Sequence, residues 1–141
     1  MPFGLRGDVL KALSASRIEE ARILFERSHY SGAFYLAGYA VEFSLKACLA
    51  KMIEANAIPS KAFINDIHTH DYLRLVGSAG LRGALKQEQE ANPAFHANWA
   101  IAAQWSPEAR YESTDRSSAQ LLLLAISDPE HGVYRWTKSF W

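Results

Sequence analysis

The chain has 141 residues, 49% apolar and 21% charged, which is the make-up of a folded domain with a real core and not of a disordered segment. Fifteen Lys and Arg balance fifteen Asp and Glu, so the total lacks the basic surplus typical of proteins that live on duplex nucleic acid; only a local patch could serve that purpose. Cys48 is the one cysteine, which excludes an intrachain disulfide and a cysteine-based zinc site.

No segment approaches the roughly eighteen consecutive apolar residues of a membrane span. The opening MPFGLRGDVLKAL has no apolar run before a small-residue cleavage site, so no secretory signal is expected and the cytoplasm is the expected compartment.

In chain order, Leu10, Leu13, Ala21 and Leu24 recur at helical spacing with Ile18 and Phe25 beside them, predicting a first helix over 9–28. Ser16 and Glu19 have the spacing of a capping box, which sets an alternative start at Arg17. His29, Ser31 and Gly32 mark a turn. From Tyr30 to Met52 the sequence is apolar on nearly every side, the pattern of a helix in the middle of a bundle. One face carries Phe34, Ala37, Val41, Leu45, Cys48 and Met52; a second carries Tyr35, Tyr39 and Phe43. Small residues such as Ala37 and Gly38 let neighbouring helices come close. This helix is expected to end before Pro59, with Asn56 as its stop.

Residues 57–68 read as a connecting loop. Thr69 is the expected cap of a short helix that starts at His70 or Asp71 and is interrupted by Gly77 and Gly80. Residues 81–91 predict a solvated helix, Asn92-Pro93 opens another through about Gln104, and Ser106-Pro107-Glu108 repeats that device for about one turn. Ser113 or Thr114 is the expected opening of the last long helix, with Leu121 to Leu124 and Ile126 as its apolar body. Asp128-Pro129 kinks or restarts it, and Val133, Trp136 and Phe140 prolong the stripe. Strand-period alternation, internal repeats and linkers are all missing, so the prediction is an all-α bundle forming one domain over residues 1–141.

Within the central helix, Glu42 and Lys46 stand at i,i+4 spacing. Either they form a polar pocket inside the bundle that orients a ligand or a subunit, or they are a surface pair worth about 0.3–0.5 kcal/mol. His68-Thr69-His70-Asp71 gathers metal-ligand types, but a metal needs three or four ligands in defined geometry. The simpler reading puts Asp71 at the positive end of a helix dipole and His70 at a loop closure. Glu26 and His29 match the Glu-x-x-His spacing of di-iron bundles without the second copy such sites need, so His29 is read as ending the first helix. No metal and no cofactor are expected.

Trp105 to Tyr111 concentrates aromatic and basic character. It is either a recognition surface or a packed corner, in which Trp105 and Tyr111 staple helices while Arg110 pairs with a carboxylate. Trp105 is read as a staple and Arg110 stays open. Trp136, Phe140 and Trp141 either close the core or cover a second subunit. A glycine-rich phosphate loop, a serine nucleophile elbow and paired cysteines are all lacking, so no catalytic residue is assigned.

The run Tyr30 to Ala47 (YSGAFYLAGYAVEFSLKA) resembles the second-helix signature of HEPN-domain proteins. His70-Asp71-Tyr72-Leu73, Trp105 to Tyr111 and Gly132-Val133-Tyr134-Arg135-Trp136 follow in the family's order. The resemblance implies an up-and-down bundle of about five helices, often a homodimer, with nucleotide- or RNA-related roles. Many members are ribonuclease toxins paired with a nucleotidyltransferase-type antitoxin, and others are non-catalytic binding modules. Ribonuclease members carry Arg, four to six residues, then His near the last helices. Here the one such spacing is Arg22 to His29, in the first helix, and Arg116 meets no histidine before His131. The expectation is therefore a non-catalytic homodimer binding a nucleotide, RNA or a partner protein, with Glu42, Lys46, His70, Asp71, Arg110 and Tyr111 as its candidate polar residues. The alternative is a metal-independent ribonuclease toxin using a displaced arginine and histidine as phosphate clamp and general acid/base.

Overall fold

A computed structural model describes residues 4–141; the first three residues of the segment read for a secretory signal lie outside the described residues. The described chain contains eight α-helices and one 3-10 turn, with no strand among the described residues. Five helices reach ten residues or more: α1 (Gly7–Glu26), α2 (Tyr30–Ala50), α5 (Arg82–Ala91), α6 (Pro93–Ala102) and α7 (Arg116–Ser127). The short ones are α3 (Lys61–Ile67), α4 (Tyr72–Ser78) and α8 (Val133–Lys138), and the 3-10 turn spans Pro107–Tyr111. The all-α bundle predicted from the sequence is the fold.

Helix α1 runs unbroken through Ser16, so the capping-box start at Arg17 is not used. The buried stripe Leu10, Ser14, Ile18 and Ala21 crosses that position, and continuous burial outweighs one local side-chain cap. The turn into α2 lies earlier than Ser31 and Gly32, both of which are helical. It is a Schellman closure: His29 N–H donates to Leu24 O at 2.8 Å and Ser28 N–H to Phe25 O at 3.0 Å. Ser28, at φ 65°, takes the left-handed position that glycine usually fills.

Helix α2 is the central rod. Eleven of its residues are buried, among them Ala33, Ala37, Val41, Leu45 and Leu49, and α1, α4, α7, α8 and the 3-10 turn all pack against it. It ends at Ala50, well before Asn56, and Met52, expected on its apolar face, lies beyond it at 49% exposure. Gly38 is where a neighbour comes closest: a Cβ there would fall 2.0 Å from Trp105 Cε2. The core around α2 is aromatic, with Tyr72, Phe95, Trp99, Trp105 and Trp136 all buried.

The predicted loop 57–68 contains α3, whose first turn is capped by Ser60 Oγ accepting from Phe63 N–H at 3.1 Å. None of its residues is fully buried, so it left little periodic signal. The cap of α4 is Asp71, not Thr69: its carboxylate accepts from Leu73 N–H at 2.9 Å and Arg74 N–H at 3.2 Å. Thr69 instead takes the Asp71 N–H on its hydroxyl at 3.2 Å. Asn92 caps α6 as expected, accepting from Phe95 N–H at 3.0 Å.

Helix α7 opens on Asp115, one residue after Thr114, with Ser118 N–H 2.7 Å from its carboxylate. That hydrogen bond holds the Asp115 carboxyl below its usual range. A carboxylate is the stronger cap because it also meets the helix dipole. Asp128-Pro129 ends α7 rather than kinking it; Asp128 accepts from Glu130 N–H at 2.8 Å and His131 N–H at 2.9 Å. Gly132 then lets α8 start tightly, since a Cβ there would sit 2.4 Å from Asp128 O.

Candidate functional site

Glu42 is 1% exposed, so the reading of Glu42 and Lys46 as a solvent-facing pair is overturned. A buried carboxylate costs several kcal/mol unless donors replace its water. Both oxygens have one: Lys46 Nζ stands 3.1 Å from Oε2 and His70 Nδ1 stands 2.6 Å from Oε1. A carboxylate oxygen accepts, so Nδ1 is the donor in this contact. The imidazole is half exposed, which makes it the solvent-side end of a tie that begins in the core.

His70 and Asp71 line one wall of a groove of about 610 Å³, and Trp105, Ser106 and Pro107 line the other. Trp105 stacks on Tyr72, with ring centroids 5.8 Å apart and planes 8° from parallel, and meets Tyr39 edge-on at 5.0 Å. Its indole N–H is buried without a hydrogen-bond partner. The Tyr72 hydroxyl donates to Gly38 O at 2.6 Å, and its complete burial pushes its pKa well above the usual range.

Tyr39 joins the groove to the 3-10 turn. Its ring lies 6.1 Å from the His70 ring and 5.1 Å from Tyr35. Burial, the Tyr35 hydroxyl and the Glu42 charge push its pKa up to about 12, with Arg110 pulling the other way. Arg110 lies 4.8 Å over the Tyr111 ring, and the Tyr111 and Tyr35 hydroxyls hold its guanidinium charged.

The packed-corner reading of this segment is corrected in two places. Tyr111 is 73% exposed and staples nothing, and Arg110 has no carboxylate partner among the described residues. Trp105 alone is the staple.

Of the six candidate residues, Glu42, Lys46 and His70 form one hydrogen-bonded chain, and Asp71 shares the groove wall with His70 but is occupied in capping α4. Arg110 and Tyr111 pair with each other and reach the rest through Tyr35, which packs on Tyr39. Lys46 leaves the group on its other side and lines a different cleft together with His68. That separation parts the two imidazoles of His68-Thr69-His70-Asp71. Among the described residues no three His, Cys, Asp or Glu side chains are grouped to hold a metal. Tyr35 and Tyr39 are the functional candidates that pattern reading missed; their i,i+4 spacing, which aligns two phenols on one helix face, was the available signal.

Arg22 and His29 are held in different surroundings. Arg22 faces Glu19 at 3.7 Å on the exposed side of α1, while His29 sits in the turn between α1 and α2. Arg116 lies over Phe25 at the start of α7, and His131 bonds Asn92 at 3.0 Å after its end. The twelve residues of α7 alone put about 18 Å of helix between them.

The family model for the HEPN domain matches residues 10–114. The chain belongs to the HEPN-domain family. The match spans α1 to the 3-10 turn, and so contains the central rod, the groove and the Arg110–Tyr111 pair of this HEPN domain. No curated protein and no solved structure gives a significant match. No described helix is long and apolar enough to cross a membrane.

Proposed function

We propose that this HEPN domain, acting as one unit over residues 1–141 and as a cytoplasmic homodimer, is a non-catalytic module that binds single-stranded RNA or a nucleotide. The observation that carries the reading is the Arg110–Tyr111 pair: an exposed guanidinium over an exposed phenol, with no carboxylate in ion-pair reach among the described residues. Bases stack on aromatic faces and on guanidinium planes, at about 1–3 kcal/mol per base, and the free charge meets phosphate. Tyr35 and Tyr39 continue the aromatic face, and the half-exposed His70 imidazole stands at its edge. Flexible single strands suit such a face, because it asks for no basic surplus over the whole chain.

The absence of an Arg–His pair at family spacing near the last helices favours binding over cleavage. Homodimerisation is carried over from the family. A nucleotidyltransferase-type partner belongs to the toxin alternative.

The test is fluorescence anisotropy of a labelled single-stranded RNA octamer with the wild type, Arg110→Ala and Tyr111→Ala. Each variant is expected to weaken binding by about tenfold, with the octamer intact on a gel. Unchanged affinity in both variants would overturn the assignment, and cleavage of the octamer would replace it with the ribonuclease reading.

A further inference from the structure

The second oxygen of Glu42 leads to a different place. Lys46 lines an open cleft of about 430 Å³ between α1, the end of α2 and α3, with Gly4, Leu5, Ile53 and Pro59 at its rim, a size in the range of small-molecule sites. Its walls are aliphatic: Leu10 and Leu49, both buried, with Ile64 and Ile67 of α3 opposite. Two basic side chains, Lys46 and His68, share the lining, and no carboxylate does. An ammonium carries three donors, and Glu42 is the one hydrogen-bond partner of Lys46 among the described residues. Glu42 also meets His70 Nδ1 at 2.6 Å, so its two oxygens are shared between two partners.

We propose that this cleft binds a medium-chain aliphatic monocarboxylate, its tail between the leucines and isoleucines and its head on the Lys46 ammonium. The occupant follows from complementarity at both ends. Aliphatic walls reward a hydrocarbon tail in proportion to the area it removes from water. A basic lining without an acid selects an anionic head and repels an alkylammonium. A protein partner fits less well: eleven residues line the cleft, against roughly 20–30 on each side of a stable protein interface. The site is independent of RNA binding, since neither Arg110 nor Tyr111 lines it.

The experiment is isothermal titration of the full chain with sodium octanoate, octylammonium chloride and 1-octanol. Octanoate is expected to bind saturably, one per chain, and at least about tenfold more tightly than octylammonium. Lys46→Met keeps the apolar stem and is expected to lose that preference while still binding octanol. Should Lys46→Met fail to fold, Ile64→Asp decides: it charges the wall from α3, leaves the Glu42 contacts in place, and is expected to abolish octanoate and octanol binding together. No saturable octanoate binding, equal binding of octylammonium, or octanoate binding unaltered in Ile64→Asp would each overturn the proposal.

Discussion

Glu42 and His70 are joined at 2.6 Å although the carboxylate is 2% exposed and the imidazole 52%. One hydrogen bond thus carries the electrostatics of the central helix to the surface just ahead of α4. It also fixes where the imidazole sits, because Tyr39 packs beside it at 6.1 Å and Asp71 begins α4 at the next residue. The groove is held from below, by a charge in the core.

That arrangement sets a stability difference. Glu42→Ala leaves Lys46 and His70 without their shared acceptor and opens a void in the core, and should cost about 3 kcal/mol in a urea titration. The double change Glu42→Leu with Lys46→Met replaces the pair by apolar groups of similar volume, and should cost less by about 1 kcal/mol or more. Equal losses would mean that neither the void nor the orphaned ammonium carries the cost, and that the loss lies in the ion pair itself.

Gly38→Ala tests the contact between α2 and the Trp105 segment. The added methyl would lie 2.0–2.2 Å from three indole atoms, so Trp105 must move. Overpacking of this kind costs about 1–3 kcal/mol. The melting temperature should fall and the tryptophan emission should shift to the red. A variant with wild-type melting and emission would show that the two elements can separate freely.

The alkaline limb of stability depends on Tyr39. Its pKa rises from 10.0 to about 12 on folding, so the neutral phenol favours the folded state. The contribution is fully present below pH 10, shrinks as the unfolded chain ionises, and is gone once pH passes the folded value. Tyr39→Phe should therefore flatten the fall in melting temperature between about pH 10 and 12. Tyr72, raised in the same direction, keeps some slope. An unchanged slope would mean that Tyr39 is solvated.

Much of the fold was legible because it rests on periodicity. The apolar rod from Tyr30, the Asn92-Pro93 start of α6 and the Asp128-Pro129 break each carry a local signal strong enough to survive without neighbours. What escaped has a common cause. Ser16-x-x-Glu19 and Thr69 have the chemistry of caps, yet a buried stripe overrode the first and the adjacent Asp71 carboxylate outcompeted the second. Helix α3 escaped because it buries no residue fully. In the site, the spacing of Glu42 and Lys46 was visible, but the decisive bond runs to His70, twenty-eight residues away. Local spacing says nothing of such a partner. The same holds for Arg110, whose lack of a carboxylate partner among the described residues is a property of the folded surface and not of its neighbours in sequence.

The most direct test of the central claim is a titration of isotope-labelled protein with the unlabelled RNA octamer, followed by NMR. Shift changes should be confined to Tyr35, Tyr39, His70, Arg110 and Tyr111, with the buried Trp105 indole N–H as a resolved reporter. Changes centred on α5 or α8, or none at saturating octamer, would contradict it.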